Sequence, residues 1–172
     1  MLKKLKQRSF QRSIEKNLQG RDTSQVNAPL KSIGFLVDEN VFGDIEALYD
    51  IGISLGLQQK DVKVFSFVTF SKKTPSLRQN QIHNKDFSWK GTIDNQNANE
   101  FLERPFDVLV GYYESSQQYL DAMVAKSTAK FKVGVFGGDE RLFDLLLTVD
   151  VQNTKTFKSE LEKYMKILNK IN

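Results

Sequence analysis

The residues whose types and spacing suggest a binding function are the basic side chains near the amino terminus. Met1–Arg21 carries seven basic side chains and one acidic side chain, Glu15, so this segment has a charge of 7 − 1 = +6. The whole chain carries +4, and the remaining residues therefore sum to 4 − 6 = −2. A cationic segment ahead of a mildly acidic body predicts a polyanionic partner, either nucleic acid or an anionic membrane surface. The seven basic residues are Lys3, Lys4, Lys6, Arg8, Arg12, Lys16 and Arg21.

The spacing of these cations predicts that several share one face of a helix over residues 2–18. Arg8 and Arg12 lie four residues apart, as do Phe10 and Ile14, which places the two pairs on nearly opposite faces. We interpret the cationic face as a ridge that contacts phosphates, and the apolar face as a docking surface for the rest of the chain or for a protein partner. Two alternative interpretations fit the same pattern of charged and apolar residues. One is a solvated helix that only keeps the protein in solution, and the other is a membrane-surface helix, although its apolar face has few large residues and no Trp.

A second group of cations lies in the polar segment Ser71–Gln81, which follows the predicted strand Val62–Phe70. Loops at the carboxyl ends of parallel strands form the binding crevice of open α/β sheets. Lys72 and Lys73, with Arg78 nearby, are therefore a second candidate for contact with an anion. A loop of solvated charges is the alternative interpretation.

Asp38 and Glu39 end a short apolar run, and carboxylates at the carboxyl end of a strand suit a hard cation such as Mg²⁺. We favour the simpler interpretation that they cap the following helix and complement its dipole. The turn after this run lacks the Gly-rich fingerprint of a dinucleotide site, and no Walker A sequence occurs. Because the two carboxylates would also repel a pyrophosphate, we predict no nucleotide and no other cofactor.

No combination of nucleophile and base predicts catalysis. The chain has no cysteine and a single histidine, His83, and it contains no Gly-x-Ser-x-Gly elbow. The segment Gly137–Glu140 reads Gly-Gly-Asp-Glu and resembles the signature hairpin of the diguanylate cyclases. However, Arg141 replaces the Phe that follows in that family, and the family's upstream Asp-rich strand has no counterpart. We therefore predict that the protein is not an enzyme.

The single tryptophan, Trp89, lies in the segment Ile82–Thr92, which reads as a short strand or an extended edge. Phe87 and Trp89 alternate with Ser88, as the side chains of an extended segment do. Trp89 is either an aromatic residue at the edge of the core or a platform on which a nucleic-acid base stacks, and we favour the core edge.

The elements that position these residues follow from the periodicity of apolar side chains. The run Ile33–Val37 is short, β-rich and apolar on both faces, as in a strand buried near the middle of a sheet. After it, strand and helix patterns alternate to the end of the chain. This alternation predicts a three-layer α/β domain on a mostly parallel sheet, Rossmann-like or flavodoxin-like, preceded by the basic helix. The predicted strands are Lys31–Asp38, Val62–Phe70, Phe106–Tyr112, Phe131–Phe136 and Leu142–Val149, and the predicted helices are Val41–Leu57, Gln96–Glu103, Ser115–Lys126 and Thr154–Lys170.

The chain divides into a basic helical leader over residues 1–21, a polar linker over residues 22–30 and a single α/β domain over residues 31–172. No apolar run approaches the roughly 20 residues that a membrane-spanning helix needs. The amino terminus also lacks the apolar core of a signal peptide, and the absence of cysteine favours a reducing compartment. We therefore expect a cytoplasmic protein.

Several stretches of the chain carry a family resemblance: Lys31–Glu39, Asp86–Gly91, Phe106–Val110, Gly134–Val149 and the helix that ends in Leu161–Leu168. Together they resemble a family of small uncharacterised bacterial α/β proteins, a domain of unknown function confined largely to one phylum. The resemblance would cover nearly the whole chain, including the basic leader. Because that family has no assigned reaction, the resemblance implies no catalytic residue.

These patterns lead us to predict a non-enzymatic RNA-binding protein, either associated with the ribosome or a lineage-specific ribosomal protein. In this hypothesis the basic leader contacts rRNA phosphates, Lys72 and Lys73 form a second patch, and the domain docks on RNA and ribosomal proteins by shape. The alternative is a small-molecule-binding or catalytic protein that uses the crevice at the carboxyl ends of the strands. That crevice would be formed by Asp38, Glu39, Tyr112, Tyr113 and Gly137–Asp139. Binding of the leader to an anionic membrane surface is a weaker third alternative.

Overall fold

The structure, a computed structural model, describes all 172 residues and contains six strands and five helices. Strands and helices alternate in the order that the apolar periodicity predicts. The strands are β1 (Ile33–Asp38), β2 (Val62–Val68), β3 (Gln81–His83), β4 (Val108–Tyr112), β5 (Lys132–Val135) and β6 (Leu145–Leu147). The helices are α1 (Leu2–Gln19), α2 (Ile45–Ser54), α3 (Gln96–Glu103), α4 (Gln118–Lys126) and α5 (Thr154–Ile167).

The six strands form one parallel sheet in the order β3-β2-β1-β4-β5-β6. β1 lies inside it between β2 and β4, where Phe35 is in register with Val64 and with Val110. Alternate side chains of β1 enter opposite cores, since Phe35 packs on one face and Leu36 on the other. The expectation of a central strand buried on both faces is therefore confirmed.

Helices cover both faces of this sheet, which makes the domain three-layered as predicted. α2 and α5 bury their apolar stripes against one face, and α1, α3 and α4 bury theirs against the other. The chain moves from β1 to β2 in one direction along the sheet and from β4 to β5 in the other. The strand order thus reverses between β1 and β4, the position at which open α/β sheets commonly bind ligands.

The connection between β5 and β6 is short and contains no helix. Phe143 takes the place of a helix on this part of the sheet, because its ring lies directly over Gly111 and Gly134. A Cβ atom at either glycine would come within 2.9 or 2.7 Å of that ring. The two glycines therefore allow an aromatic side chain to cover the sheet where a crossover helix usually does.

The basic helix α1 is part of the layer that contains α4. Phe10 is fully buried and Ile14 is 2% exposed, and both belong to the same apolar cluster as the sheet residue Leu36. The Phe10 ring packs edge-on against Tyr119 at the start of α4, with ring centroids 5.4 Å apart. The apolar stripe of the leader thus docks on the body of the same chain.

The expectation that Asp38 and Glu39 cap α2 is wrong, because Asp38 accepts hydrogen bonds from Asn40 and Glu39 pairs with Arg78. Asp44, not Asn40, accepts a hydrogen bond from the Ala47 amide and begins α2, because Asn40 instead bonds Asp38 and Thr69. α4 begins two residues after Ser116. The structure places Gln117 at the cap, where its side-chain oxygen accepts from the amides of Tyr119 and Leu120. Ser115 has a φ of 60°, and Ser116 donates to Asp121.

The prediction that Trp89 lies at the edge of the core is wrong, because the residue is 61% exposed. The extended segment we expected ends at His83. It is followed by a turn in which Phe87 and Ile93, both buried, pair across its base. Trp89 lies at the tip of that turn, because Phe87 and Ile93 are the side chains that this segment buries in the core.

Candidate nucleic-acid interface

A row of four cations follows the solvent face of α1. Lys4, Arg8, Arg12 and Lys16 are all exposed, and each lies four residues after the one before it. Successive members are therefore about 6 Å apart along the helix axis. None of the four forms an ion pair with a carboxylate. We call these four residues the basic ridge.

Two glutamine side chains lie beside the cations of the basic ridge. A shallow groove on the outer face of α1 is lined by Lys4, Arg8 and Arg12 together with Gln7 and Gln11. Amide side chains donate and accept hydrogen bonds, so they can contact phosphate and sugar oxygens beside the cations. The face therefore combines charge with neutral hydrogen-bonding groups.

The single carboxylate of α1 forms an ion pair with a residue outside the helix. Glu15 forms an ion pair with Arg141, which lies in the connection between β5 and β6. The Arg141 guanidinium also donates to Asp139 at 2.8 Å. Hydrogen bonds from Arg141 lower the pKa of Asp139, and those accepted by Asp139 and Glu15 raise the pKa of Arg141. Glu15 thus has an ion-pair partner outside α1, and it shares this guanidinium with Asp139.

Two of the predicted basic residues have contacts inside the protein. The Lys6 ammonium lies 5.2 Å from the centroid of the Tyr119 ring and donates to its hydroxyl at 3.3 Å. Arg21 forms a bidentate pair with Asp144, with nitrogen–oxygen distances of 2.9 and 2.6 Å. Lys6 therefore helps to dock α1, and Arg21 fastens the segment after α1 to the start of β6. Lys3 is exposed near the amino end of the helix.

The basic ridge ends in a basic cleft of about 590 Å³ between the carboxyl ends of α1 and α4. Lys16 and Arg21 line one side, and Lys126 and Lys130 line the other. Lys130 is paired with Asp107 at 2.8 Å, whereas Lys126 has no carboxylate partner and burial lowers its pKa. Our sequence reasoning did not include Lys126 or Lys130, because neither belongs to a local cluster of charge.

Lys72 and Lys73 are exposed in the loop after β2 and form no ion pair. This loop lies at the carboxyl edge of the sheet. The amino end of α1 lies at the same edge, since Lys6 contacts Tyr119 and the Tyr119 ring stacks on Phe67 of β2 at 5.3 Å. The amino end of α1 and the loop that carries Lys72 and Lys73 therefore lie at the same edge of the sheet, whereas Lys16 and Arg21 lie towards the opposite edge.

At the point where the strand order reverses, aromatic side chains pack against each other. The Phe42 ring packs edge-on against Tyr112, with centroids 5.1 Å apart. The Tyr112 hydroxyl donates to the Val151 carbonyl, and burial raises the pKa of this tyrosine. Glu39 leaves the crevice to pair with Arg78 and to accept a hydrogen bond from Gln81. The residues of the alternative site thus pack against each other or against loops.

Tyr113, another member of that crevice, forms a buried hydrogen bond with a residue of α4. The Tyr113 hydroxyl donates to Asp121 at 2.6 Å, and Ser116 donates to the other carboxylate oxygen at 3.0 Å. Burial raises the pKa of both Tyr113 and Asp121. Gly137 has a φ of +79°, and a Cβ atom added to it would lie 3.2 Å from the Ser115 backbone, so this turn requires glycine.

The lone histidine contacts neighbouring residues of its own loop. His83 Nδ1 lies 3.5 Å from the Asp86 carboxylate, and its ring packs edge-on against Phe70. No group of three or more His, Cys, Asp or Glu side chains is arranged to hold a metal ion. No helix combines the length and the apolar character that crossing a membrane requires.

Comparison with known proteins identifies one family. A family model described as a family of unknown function matches residues 6–168, which include most of α1 together with the whole sheet. No curated protein matches the chain, and no solved structure matches it. The expected likeness to an uncharacterised domain is therefore confirmed.

Proposed function

The chain belongs to the family of unknown function DUF6913, and we propose from its own residues that it is a non-enzymatic RNA-binding protein that associates with the ribosome. The observation that carries this proposal is the basic ridge. Four exposed cations lie on one face of a docked helix without carboxylate partners, while the only acid of that helix is paired elsewhere. In this proposal the ridge contacts rRNA phosphates.

Docking makes the ridge suitable for phosphates, because α1 is fixed to the body by Phe10 and Ile14. Cations on a rigid helix lose little conformational freedom on binding, whereas cations on a mobile tail would lose more. Four phosphate contacts correspond to a log–log slope of affinity against salt of about −3. The proposal therefore includes strong binding at low salt and release at high salt.

Lys72 and Lys73 form the second patch in this proposal, and the acidic body supplies contacts by shape. A-form RNA is recognised largely through its backbone and its shape, so a smooth α/β body with one cationic face suits it. The packing at the strand reversal supports this proposal over the small-molecule alternative, because Phe42 and Tyr112 contact each other there and Glu39 pairs with Arg78.

One observation favours a second candidate, contact with an anionic membrane surface. Met1, Leu2 and Leu5 at the amino end of α1 are 100, 84 and 48% exposed, and Lys3 and Lys4 lie between them. Apolar and cationic residues mixed at one helix end are typical of interfacial segments. This surface is small, so we place it second.

The test is sedimentation of the native protein with ribosomes on sucrose gradients at low and at high salt. The ridge variant carries Lys4→Gln, Arg8→Gln and Arg12→Gln. Its control carries Lys60→Gln, Lys155→Gln and Lys158→Gln, which remove the same charge from exposed residues that form no ion pair. We expect the wild type and the control to sediment with ribosomes at low salt and to leave them at high salt.

The ridge variant is expected in the upper fractions at both salt concentrations. Wild-type protein that stays in the upper fractions at low salt would exclude the proposal, and so would a ridge variant that sediments like its control. Flotation with vesicles of anionic phospholipid distinguishes the membrane proposal from the RNA proposal. Flotation that depends on Leu2 and Leu5, without ribosome binding, would replace the RNA proposal by the membrane proposal.

A further inference from the structure

We propose that Trp89 is a stacking platform for an unpaired base, so that the RNA bound at α1 is single-stranded where it passes this side chain. This inference rests on the proposed RNA binding and names the class of RNA. It starts from the one large aromatic residue that the fold leaves mostly in water, since Trp89 is 61% exposed.

The turn that carries Trp89 is held by hydrogen bonds. The Ser88 and Thr92 hydroxyls are 2.6 Å apart, and the amides of Gly91 and Thr92 donate to the Ser88 carbonyl and hydroxyl at 3.0 and 3.1 Å. Gly91 has a φ of +85°, which a residue with a side chain rarely adopts. The turn thus fixes the backbone at Trp89, whose side chain is mostly exposed although tryptophan is highly buried on average in folded proteins.

The same turn lies against the basic helix. The Phe87 ring is 5.9 Å from the Phe10 ring, and a Cβ atom on Gly91 would lie 3.6 Å from the Ser13 Cβ. The residues two before and two after Trp89 therefore both face α1. On the helix surface Ser13 neighbours Lys16 three residues later, so the platform stands beside the basic ridge.

A cation accompanies the aromatic ring. The Lys90 ammonium lies 5.3 Å from the centroid of the Trp89 ring, and it forms no ion pair. An exposed aromatic face next to a row of cations is the arrangement with which proteins bind single strands, because the bases stack while the backbone follows the charges. Bases inside a duplex are stacked on each other and cannot reach this face.

The chain contains a single tryptophan, so its fluorescence reports on this side chain alone. The probes are a single-stranded RNA of about 12 nucleotides and a fully paired duplex of the same sequence, each titrated into the full-length protein at low salt. We expect the single strand to quench the fluorescence of Trp89 and to bind more tightly than the duplex.

Trp89→Ala should weaken binding of the single strand by about 5- to 150-fold, the range for loss of one stacked base. Trp89→Ala should leave unchanged both the affinity for the duplex and the slope of affinity against salt concentration. Trp89→Phe should restore most of the affinity for the single strand. Because the side chain is exposed, the thermal midpoint of either variant should match that of the wild type, which checks that the turn has folded.

The outcomes separate this inference from the proposed function. Wild-type protein that binds neither probe at low salt would overturn both. Binding without a change in fluorescence, an equal or higher affinity for the duplex, or equal weakening of both probes by Trp89→Ala would overturn the stacking platform alone and leave the basic ridge as the binding surface.

Discussion

Lys132 is buried, with 1% of the residue exposed, and its ammonium donates to the Val124 carbonyl at 2.6 Å. Val124 lies in the last turn of α4, where its carbonyl also accepts a hydrogen bond from the Ser127 amide at 3.2 Å and the helix dipole is negative. Burial, with the help of the Arg21 guanidinium, lowers the pKa of Lys132 to about 7, while Asp144 acts in the opposite direction. This cation supports the fold, in contrast to the cations on the surface of α1.

The lowered pKa of Lys132 predicts how stability depends on pH. Between pH 7 and 10.5 the folded protein has released the proton that the unfolded chain still binds, so the free energy of unfolding should rise with pH in this window. Below pH 7 both states are protonated and this contribution is constant. We expect Lys132→Met, which has a similar volume, to remove the rise.

Urea denaturation of the wild type and Lys132→Met at pH 6, 8 and 9.5 measures this effect. Lys158→Met serves as the control, because Lys158 is exposed on α5. The difference in unfolding free energy between wild type and Lys132→Met should grow in favour of the wild type as the pH rises. A difference that stays constant across the three pH values would contradict the prediction.

At the scale of the element, the basic ridge of α1 places like charges four residues apart. Lys4, Arg8, Arg12 and Lys16 form three consecutive pairs at this spacing. Each such pair destabilises a helix by about 0.2–0.5 kcal/mol. Such a row of like charges lowers the stability of the folded protein. Surfaces that bind ligands commonly have this cost.

Arg8→Gln relieves two of these repulsions, so we expect it to stabilise the protein by a few tenths of a kcal/mol while it weakens RNA binding. Chemical denaturation at low salt measures the gain, and the gain should disappear at high salt because screening removes the repulsion. Lys158→Gln is the matched control. A loss of stability in Arg8→Gln would mean that Arg8 has a structural role that its exposure does not suggest.

The other face of α1 stabilises the protein by burial. Phe10 is fully buried between Phe87 and Tyr119, so Phe10→Ala should lower the free energy of unfolding by about 3–5 kcal/mol. Leu5→Ala, on an exposed side chain of the same helix, should change it by less than about 0.5 kcal/mol. Equal effects of the two substitutions would show that α1 is not docked in solution. Deletion of α1 would remove charge and core together, which is why charge substitutions test the proposed function more cleanly.

At the scale of the whole molecule, one apolar cluster joins α1 to the sheet. The cluster that contains Phe10 and Ile14 also contains Leu36 of β1 and Leu109 of β4. The segment that follows α1 is fastened by Arg21 to Asp144, beside the edge strand β6. The leader and the body should therefore unfold as one cooperative unit.

Native-state hydrogen exchange tests this cooperativity. We expect amides in the second half of α1, such as those of Ile14 and Leu18, to be protected to a degree similar to amides of α4. Amides in the loop that carries Lys72 and Lys73 should exchange fast and serve as the internal reference, because that loop is exposed. Exchange of Ile14 and Leu18 at the rate of this loop would indicate a leader that opens independently of the body.

The sequence by itself determined the elements and their layering. Apolar residues recur with the period of a strand or a helix, and this signal is local, so β1, α3 and the two faces of α1 could be predicted from short windows. The same local spacing indicated that Arg8, Arg12 and Lys16 share one face. Predicted boundaries were broader than those observed, as for β6, because the ends of strands depend on which neighbours pair with them.

Only the tertiary structure decided which side chains are free to bind. Glu15 meets Arg141, Arg21 meets Asp144, and these partners lie more than a hundred residues apart along the chain. The exposure of Trp89 likewise depends on the pairing of Phe87 with Ile93 beneath it. Local patterns contain no information about such distant partners. The spacing of the cations could thus be derived from the sequence, whereas their availability, and the position of an exposed aromatic ring beside them, follow from how the chain folds back on α1.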